Sequence, residues 1–158
     1  MDTLHLCQSL AERLLARHWR MVTAESCTGG MIAARCTDLA GSSAWFERGF
    51  VTYSNEAKAE LLGVDPQLIV RHGAVSEAVA HAMAQGAVAH AKAQVAVAVT
   101  GIAGPTGGSV DKPVGTVWLA WNIHGQVDAE KMLFPGDRAA VREATTLYAL
   151  QGLLQRLA

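Results

Sequence analysis

Met21-Val22-Thr23-Ala24-Glu25-Ser26-Cys27-Thr28-Gly29-Gly30-Met31-Ile32-Ala33-Ala34 reads as a strand, a turn and a helix. Met21, Val22 and Thr23 suit a short strand, and an apolar helical pattern begins at Met31. Between them lie small polar residues and two glycines, which are turn formers. The first N–H groups of a helix lack internal partners, and the helix dipole makes that end positive. Ser26 therefore sits beside donors for an anion, either a phosphate or the oxyanion of an acyl-transfer intermediate. The same residues also suit a plain cap and turn, with Ser26 or Thr28 capping the helix.

Upstream, residues 3–19 read as an amphipathic helix with Leu4, Leu6, Cys7, Leu10, Leu14, Leu15 and His18 near one face. Downstream, Gly41-Ser42-Ser43 breaks the chain and Phe46–Ser54 reads as a strand. Gly49 inside it marks a bulge or a close backbone approach. Asn55 suits the N-cap of the next helix, Glu56 its first turn, and Gly63 its end. That places Lys58 near the positive end of a helix. On the surface it would pair with Glu56 or Glu60. Pointing inward, it would lose its proton more easily than at the usual pKa of about 10.4, because burial and the dipole both oppose the charge. Such a lysine can act as a neutral base.

Asp65-Pro66 opens a short helix closed by His72-Gly73, and Ser76 caps an alanine-rich helix to about Lys92. Gln94–Thr100 is a continuous apolar run, read as a buried central strand. Gly101-Ile102-Ala103-Gly104-Pro105-Thr106-Gly107-Gly108-Ser109 follows. Its glycines let a backbone approach a ligand closely, or simply make a wide turn. It is neither a Walker A loop nor Gly-x-Gly-x-x-Gly. Val114–Ile123 and Val127–Phe134 form a hairpin around His124-Gly125-Gln126, and Asp137 caps a last helix. Arg138 and Arg142 share a face at its start, as a solvated basic edge or as a phosphate clamp. Interleaved helices and strands with a hairpin predict an α/β fold: one domain, a three-layer α-β-α sandwich with a mixed β-sheet.

Composition narrows the function. The 158 residues suit one sizeable core, with 51% hydrophobic and 17% charged residues. A formal net charge of −1 without basic runs argues against a nucleic-acid partner. No segment has the roughly 18 apolar residues of a membrane span, and the N-terminus is too polar for a secretory signal. Cys7, Cys27 and Cys36 form no Cys-x-x-Cys pair, and the six histidines include no i, i+4 pair. The expectation is no metal, no cofactor and a reducing cytoplasm. The alanine-rich helix, Trp45, Trp118 and Trp121 are candidates for core or for a homo-oligomer interface.

Taken together, several stretches in order resemble the CinA C-terminal family. They are Thr23–Gly30, Gly41-Ser42-Ser43, Gly49 with Tyr53-Ser54-Asn55-Glu56-Ala57-Lys58, Leu61–Val64 and Gly73-Ala74-Val75-Ser76. Thr100–Pro105 with Gly107-Gly108, Lys112–Val117, and Gly136-Asp137-Arg138 with Arg142 complete the set. The enzymatic members of that family are nicotinamide-nucleotide amidases. Its longer members carry an additional N-terminal domain that this chain is too short to hold, so the resemblance is to the stand-alone form. It implies hydrolysis of the carboxamide of nicotinamide mononucleotide to nicotinate mononucleotide and ammonia by a Ser/Lys hydrolase. On this sequence it makes Ser26 the nucleophile, Lys58 the base and Tyr53 an accessory hydroxyl.

The residues agree with that chemistry, because a serine needs an adjacent base and Lys58 is the one placed to be unprotonated. Donors around Thr28, Gly29 and Gly30 are expected to hold the oxyanion. Thr100, Gly101, Ile102, Ala103 and Gly104 are expected to line the nucleotide, and Arg142, then Arg138, to hold its phosphate. Glu25 either balances the pyridinium charge or holds the turn. Cys27 is the rival nucleophile, read as a packing residue. A non-catalytic nucleotide-binding module and an amidase of another small carboxamide remain as the other readings.

Overall fold

The computed structural model describes residues 2–158. In chain order it contains α1 (Thr3–Arg17), β1 (Met21–Glu25), α2 (Met31–Thr37), a 3-10 turn (Ser42–Ala44) and β2 (Phe46–Val51). The helices α3 (Asn55–Leu62), α4 (Pro66–His72) and α5 (Glu77–Ala89) follow. Then come β3 (Val95–Gly101), β4 (Thr116–Ile123), β5 (Gln126–Leu133) and α6 (Arg138–Arg156).

The five strands lie in the order β2-β1-β3-β4-β5. β1 pairs in parallel with both β2 and β3, while β3–β4 and β4–β5 are antiparallel. The sheet is therefore mixed, as expected. One apolar layer joins α1, α2 and α6 to Met21, Val95, Val97, Val99, Leu119 and Trp121. The other joins α3, α4 and α5 to Val22, Ala24, Ala96, Ala98 and Ala120. Alternate side chains of a strand point to opposite faces, so β3, buried along almost its whole length, supplies both layers. The alanines on one face of β3 and β4 let α5 lie close to the sheet.

Local chemistry sets the boundaries, and several differ from the sequence reading. α1 ends at Arg17 because His18 takes a left-handed C-cap conformation, with φ 57°. Leu4 and Leu15, placed on its core face from sequence, are half exposed. β2 stops at Val51, short of the expected Ser54, and Thr52 makes one more bond to β1, N–H to the Glu25 carbonyl at 2.8 Å, before the chain turns. Ser54, not Asn55, is the N-cap of α3, its Oγ accepting from the N–H of Ala57. α5 ends at Ala89 instead of Lys92. Trp45 and Trp121 are core residues, and the Trp121 indole N–H donates to the Ala149 carbonyl at 3.0 Å. No helix is long and apolar enough to cross a membrane among the described residues.

Candidate active site

The chain leaves β1 toward β2 on one side, then returns to β3 on the other. Such a switch point opens a crevice beyond the carboxyl ends of the two parallel strands. Ser26 follows β1 there, and its N–H donates to the Val99 carbonyl of β3 at 3.1 Å. Residues of both strand ends, α3, the α4–α5 connection and α6 line a cleft of about 240 Å³. Ser26, Tyr53, Lys58, Thr100, Gly101, Ala103 and Arg138 are among them.

Lys58 is 1% exposed and points into the molecule, not toward Glu56 or Glu60. Its Nζ lies 3.1 Å from Ser26 Oγ, 3.0 Å from the Thr52 carbonyl and 3.4 Å from the Tyr53 carbonyl. The Ser54 cap starts α3 so that its fourth residue faces the cleft. Burial holds the Lys58 pKa below its ordinary value. A neutral amine has two N–H bonds and one lone pair. Here two carbonyls can take the two N–H groups, which leaves the lone pair for the Ser26 hydroxyl. Cys27, beside the nucleophile, is 6% exposed. Its thiol is pushed up to about 12, chiefly by burial, so it stays protonated at neutral pH.

Glu25 holds the turn. It is fully buried, and Oε1 accepts from the Thr28 hydroxyl at 2.5 Å and from the N–H groups of Gly30 at 3.2 Å and Ile32 at 2.9 Å. Oε2 accepts from the Ala33 N–H at 3.0 Å. A carboxylate on the positive end of α2 thus satisfies donors that the helix leaves open. Two of the three expected oxyanion donors are engaged within the turn. The Gly30 N–H is taken by Glu25, and the Gly29 N–H donates to the Ser26 carbonyl at 3.1 Å. The N–H groups of Cys27 and Thr28 have no acceptor among the described residues.

The loop after β3 divides. Thr100, Gly101 and Ala103 line the cleft, whereas the Ile102 N–H and carbonyl pair with Thr116 and Gly115, and the Gly104 carbonyl accepts from Arg138. Position 101 has no room for a side chain: a Cβ would lie 2.7 Å from Val117 Cγ2 and 3.2 Å from Cys27 Sγ. The Tyr53 ring is exposed, and its hydroxyl accepts from Arg138 at 3.3 Å. Arg142 is not among the residues lining the cleft. It donates to the Cys27 and Thr28 carbonyls instead. Sequence reasoning did not assign Asn55, Ala74 and Val75, which also line the cleft. Their signal was present in the stretches Gly73–Ser76 and Ser54–Lys58.

Comparison with known proteins agrees with this architecture. Residues 3–157 match the family model described as the CinA C-terminal domain. The chain is 53% identical over 156 residues, 98% of its length and 94% of the relative's, to "Nicotinamide-nucleotide amidohydrolase PncC" of Escherichia coli strain K12. It is 54% identical over 150 residues to the protein of the same name from Pseudomonas putida, covering 95% of this chain and 94% of that one. The crystal structure of a competence damage-inducible protein A from Klebsiella pneumoniae superimposes with a TM-score of 0.96 at 44% identity, covering 99% of this chain and 98% of that one.

Proposed function

The chain belongs to the CinA C-terminal domain family, and from that premise we propose that it hydrolyses the carboxamide of nicotinamide mononucleotide to nicotinate mononucleotide and ammonia. The observation that carries the reading is the buried Lys58 Nζ, 3.1 Å from Ser26 Oγ and facing two carbonyls.

Neutral Lys58 removes the Ser26 hydroxyl proton as Oγ attacks the carboxamide carbon. The carbonyl π pair moves to oxygen, and the N–H groups of Cys27 and Thr28 receive that oxyanion. The oxyanion collapses, the C–N bond breaks, and the Lys58 ammonium gives its proton to the departing nitrogen, which leaves as ammonia. The product so far is an ester on Ser26. Lys58, neutral again, takes a proton from water as the water oxygen attacks the ester carbon. The Ser26 Oγ–carbon bond then breaks, Oγ regains a proton from Lys58, and the acid is released. Amides are poor electrophiles, which is why both the base and the oxyanion donors are needed.

Arg138, at the cleft beside Tyr53, is the residue we assign to the phosphate. Tyr53 then orients Arg138 through its hydroxyl. We place the reaction in the cytoplasm, where the three buried free thiols Cys7, Cys27 and Cys36 stay reduced.

The test is ammonia release from nicotinamide mononucleotide, with nicotinamide, nicotinamide riboside and glutamine beside it. Turnover is expected with the mononucleotide and at least about tenfold less with each of the others, since each lacks binding groups that the cleft is built to hold. Faster release from glutamine or free nicotinamide would point to another small carboxamide. Binding of the mononucleotide without release would make the protein a binding module.

A further inference from the structure

Arg142 is engaged with the turn that carries the nucleophile. Its Nε–H donates to the Cys27 carbonyl at 3.0 Å and its Nη2–H to the Thr28 carbonyl at 3.2 Å. A peptide unit is planar and trans, so its carbonyl and its N–H point in opposite directions. The Cys27 carbonyl and the Thr28 N–H share one unit, and the Thr28 carbonyl and the Gly29 N–H share the next. Both N–H groups therefore point away from the guanidinium. The Gly29 N–H reaches the Ser26 carbonyl at 3.1 Å, which identifies that direction as the Ser26 side of the turn. The Thr28 N–H, turned the same way, has no acceptor among the described residues. A charged donor on a carbonyl also polarises the N–H of the same peptide and strengthens it as a donor.

We infer that Arg142 is a positioning residue: it orients and polarises the Thr28 N–H toward the oxyanion formed at Ser26, and it does not hold the phosphate of the substrate. This rests on the amidase reading above. Glu25 and Arg142 then act on the turn from two sides, the carboxylate fixing Gly30 and the Thr28 hydroxyl, the guanidinium fixing the two carbonyls. An arginine suits this task because its planar fork holds two N–H donors in a fixed geometry, whereas a lysine ammonium is a compact charge on a flexible stem.

The experiment compares Arg142→Gln, Arg142→Lys and Arg138→Gln with wild type. It measures kcat and KM on nicotinamide mononucleotide, and Kd for nicotinate mononucleotide by calorimetry. In Arg142→Gln, kcat is expected to fall about 100-fold while KM and Kd stay within about threefold, the pattern of an interaction made in the transition state. Arg142→Lys, which keeps the charge but loses the fixed fork, is expected to fall between. Arg138→Gln is expected to do the reverse and weaken Kd about tenfold or more with a smaller change in kcat. A tenfold or greater loss of Kd in Arg142→Gln with kcat retained would make it a phosphate ligand and overturn the inference. So would an unchanged kcat. Should Arg142→Gln fail to fold, Arg142→Lys carries the test by the same split. A wild-type protein that releases no ammonia would instead remove the amidase reading, and this inference with it.

Discussion

In Lys58→Met, ammonia release from nicotinamide mononucleotide is expected to fall at least about 10⁴-fold, and Ser26→Ala is expected to fall as far. The double variant should be no slower than either single one, because a nucleophile and its base act as a unit. Steady-state rates of the three proteins check this, and additive losses would separate the two residues. The pH profile follows from the environment of Lys58. The neutral amine is the active form, so kcat/KM rises with pH and levels off once Lys58 has lost its proton. Burial lowers its pKa, so the midpoint falls below the ordinary value of 10.5. Stability has its own pH dependence. In the folded protein the proton leaves at a lower pH than in the unfolded chain. Between the two values the unfolded chain binds more protons, and wild-type stability gains as pH rises through that window. Below the window the full cost of the buried charge is present. Methionine has no such charge. The unfolding free energy of Lys58→Met relative to wild type is therefore most favourable below the folded-state pKa, and it declines toward pH 10.5. A difference independent of pH would mean that Lys58 is not strained by its burial.

How far the sequence alone reaches depends on whether a feature is local. The Ser26 turn, the helix caps at Asp65, Ser76 and Asp137, and the hairpin at His124-Gly125 were all readable, because each is set by residues within a few positions. The inward turn of Lys58 was readable as one of two alternatives, and only the packing of α3 against α5 and α4 decides between them. The roles of Glu25 and Arg142 were less accessible. Glu25 is adjacent to Ser26 in sequence, yet which donors it meets depends on the path of the next eight residues. Arg142 lies more than 100 residues from the carbonyls it touches. Its spacing from Arg138 suggested a shared task, and one helix face does carry both. The rotation of α6 nevertheless sends Arg138 to the cleft and Arg142 to the turn. Glycine was a similar case. The sequence marked Gly49 as a bulge or a close approach, and the structure shows the approach, with a Cβ there lying 2.8 Å from Thr23 Oγ1. Gly86 gave no such signal inside its alanine-rich helix.

Gly86→Ala is expected to be strongly destabilising, although by intrinsic helix propensity it should help. Alanine is favoured over glycine by about 1 kcal/mol in a helix interior. Against that, a Cβ at position 86 would lie 1.9 Å from the Leu62 carbonyl oxygen and 2.9 Å from its carbonyl carbon. These are backbone atoms at the last residue of α3, so no side-chain rotation relieves the contact. Either α3 or α5 must move. Overpacking of this kind costs about 1–3 kcal/mol and more where the backbone must shift, so the steric cost outweighs the propensity gain. A net loss of about 3 kcal/mol would lower Tm by about 10 °C in a chain of this size. Gln85→Ala, at the exposed neighbouring position of the same helix, serves as the control and is expected to leave Tm within about 2 °C. The consequence reaches the chemistry. Leu62 lies four residues after Lys58 on the same short helix, so a shift that relieves position 86 also moves the Nζ now 3.1 Å from Ser26 Oγ. A misplacement of about 1 Å costs roughly 100-fold in rate. Gly86→Ala is therefore expected to lose kcat below its own Tm while KM changes little, since the phosphate assignment at Arg138 lies on α6. Full kcat in a destabilised variant would show that α5 yields and α3 stays in place.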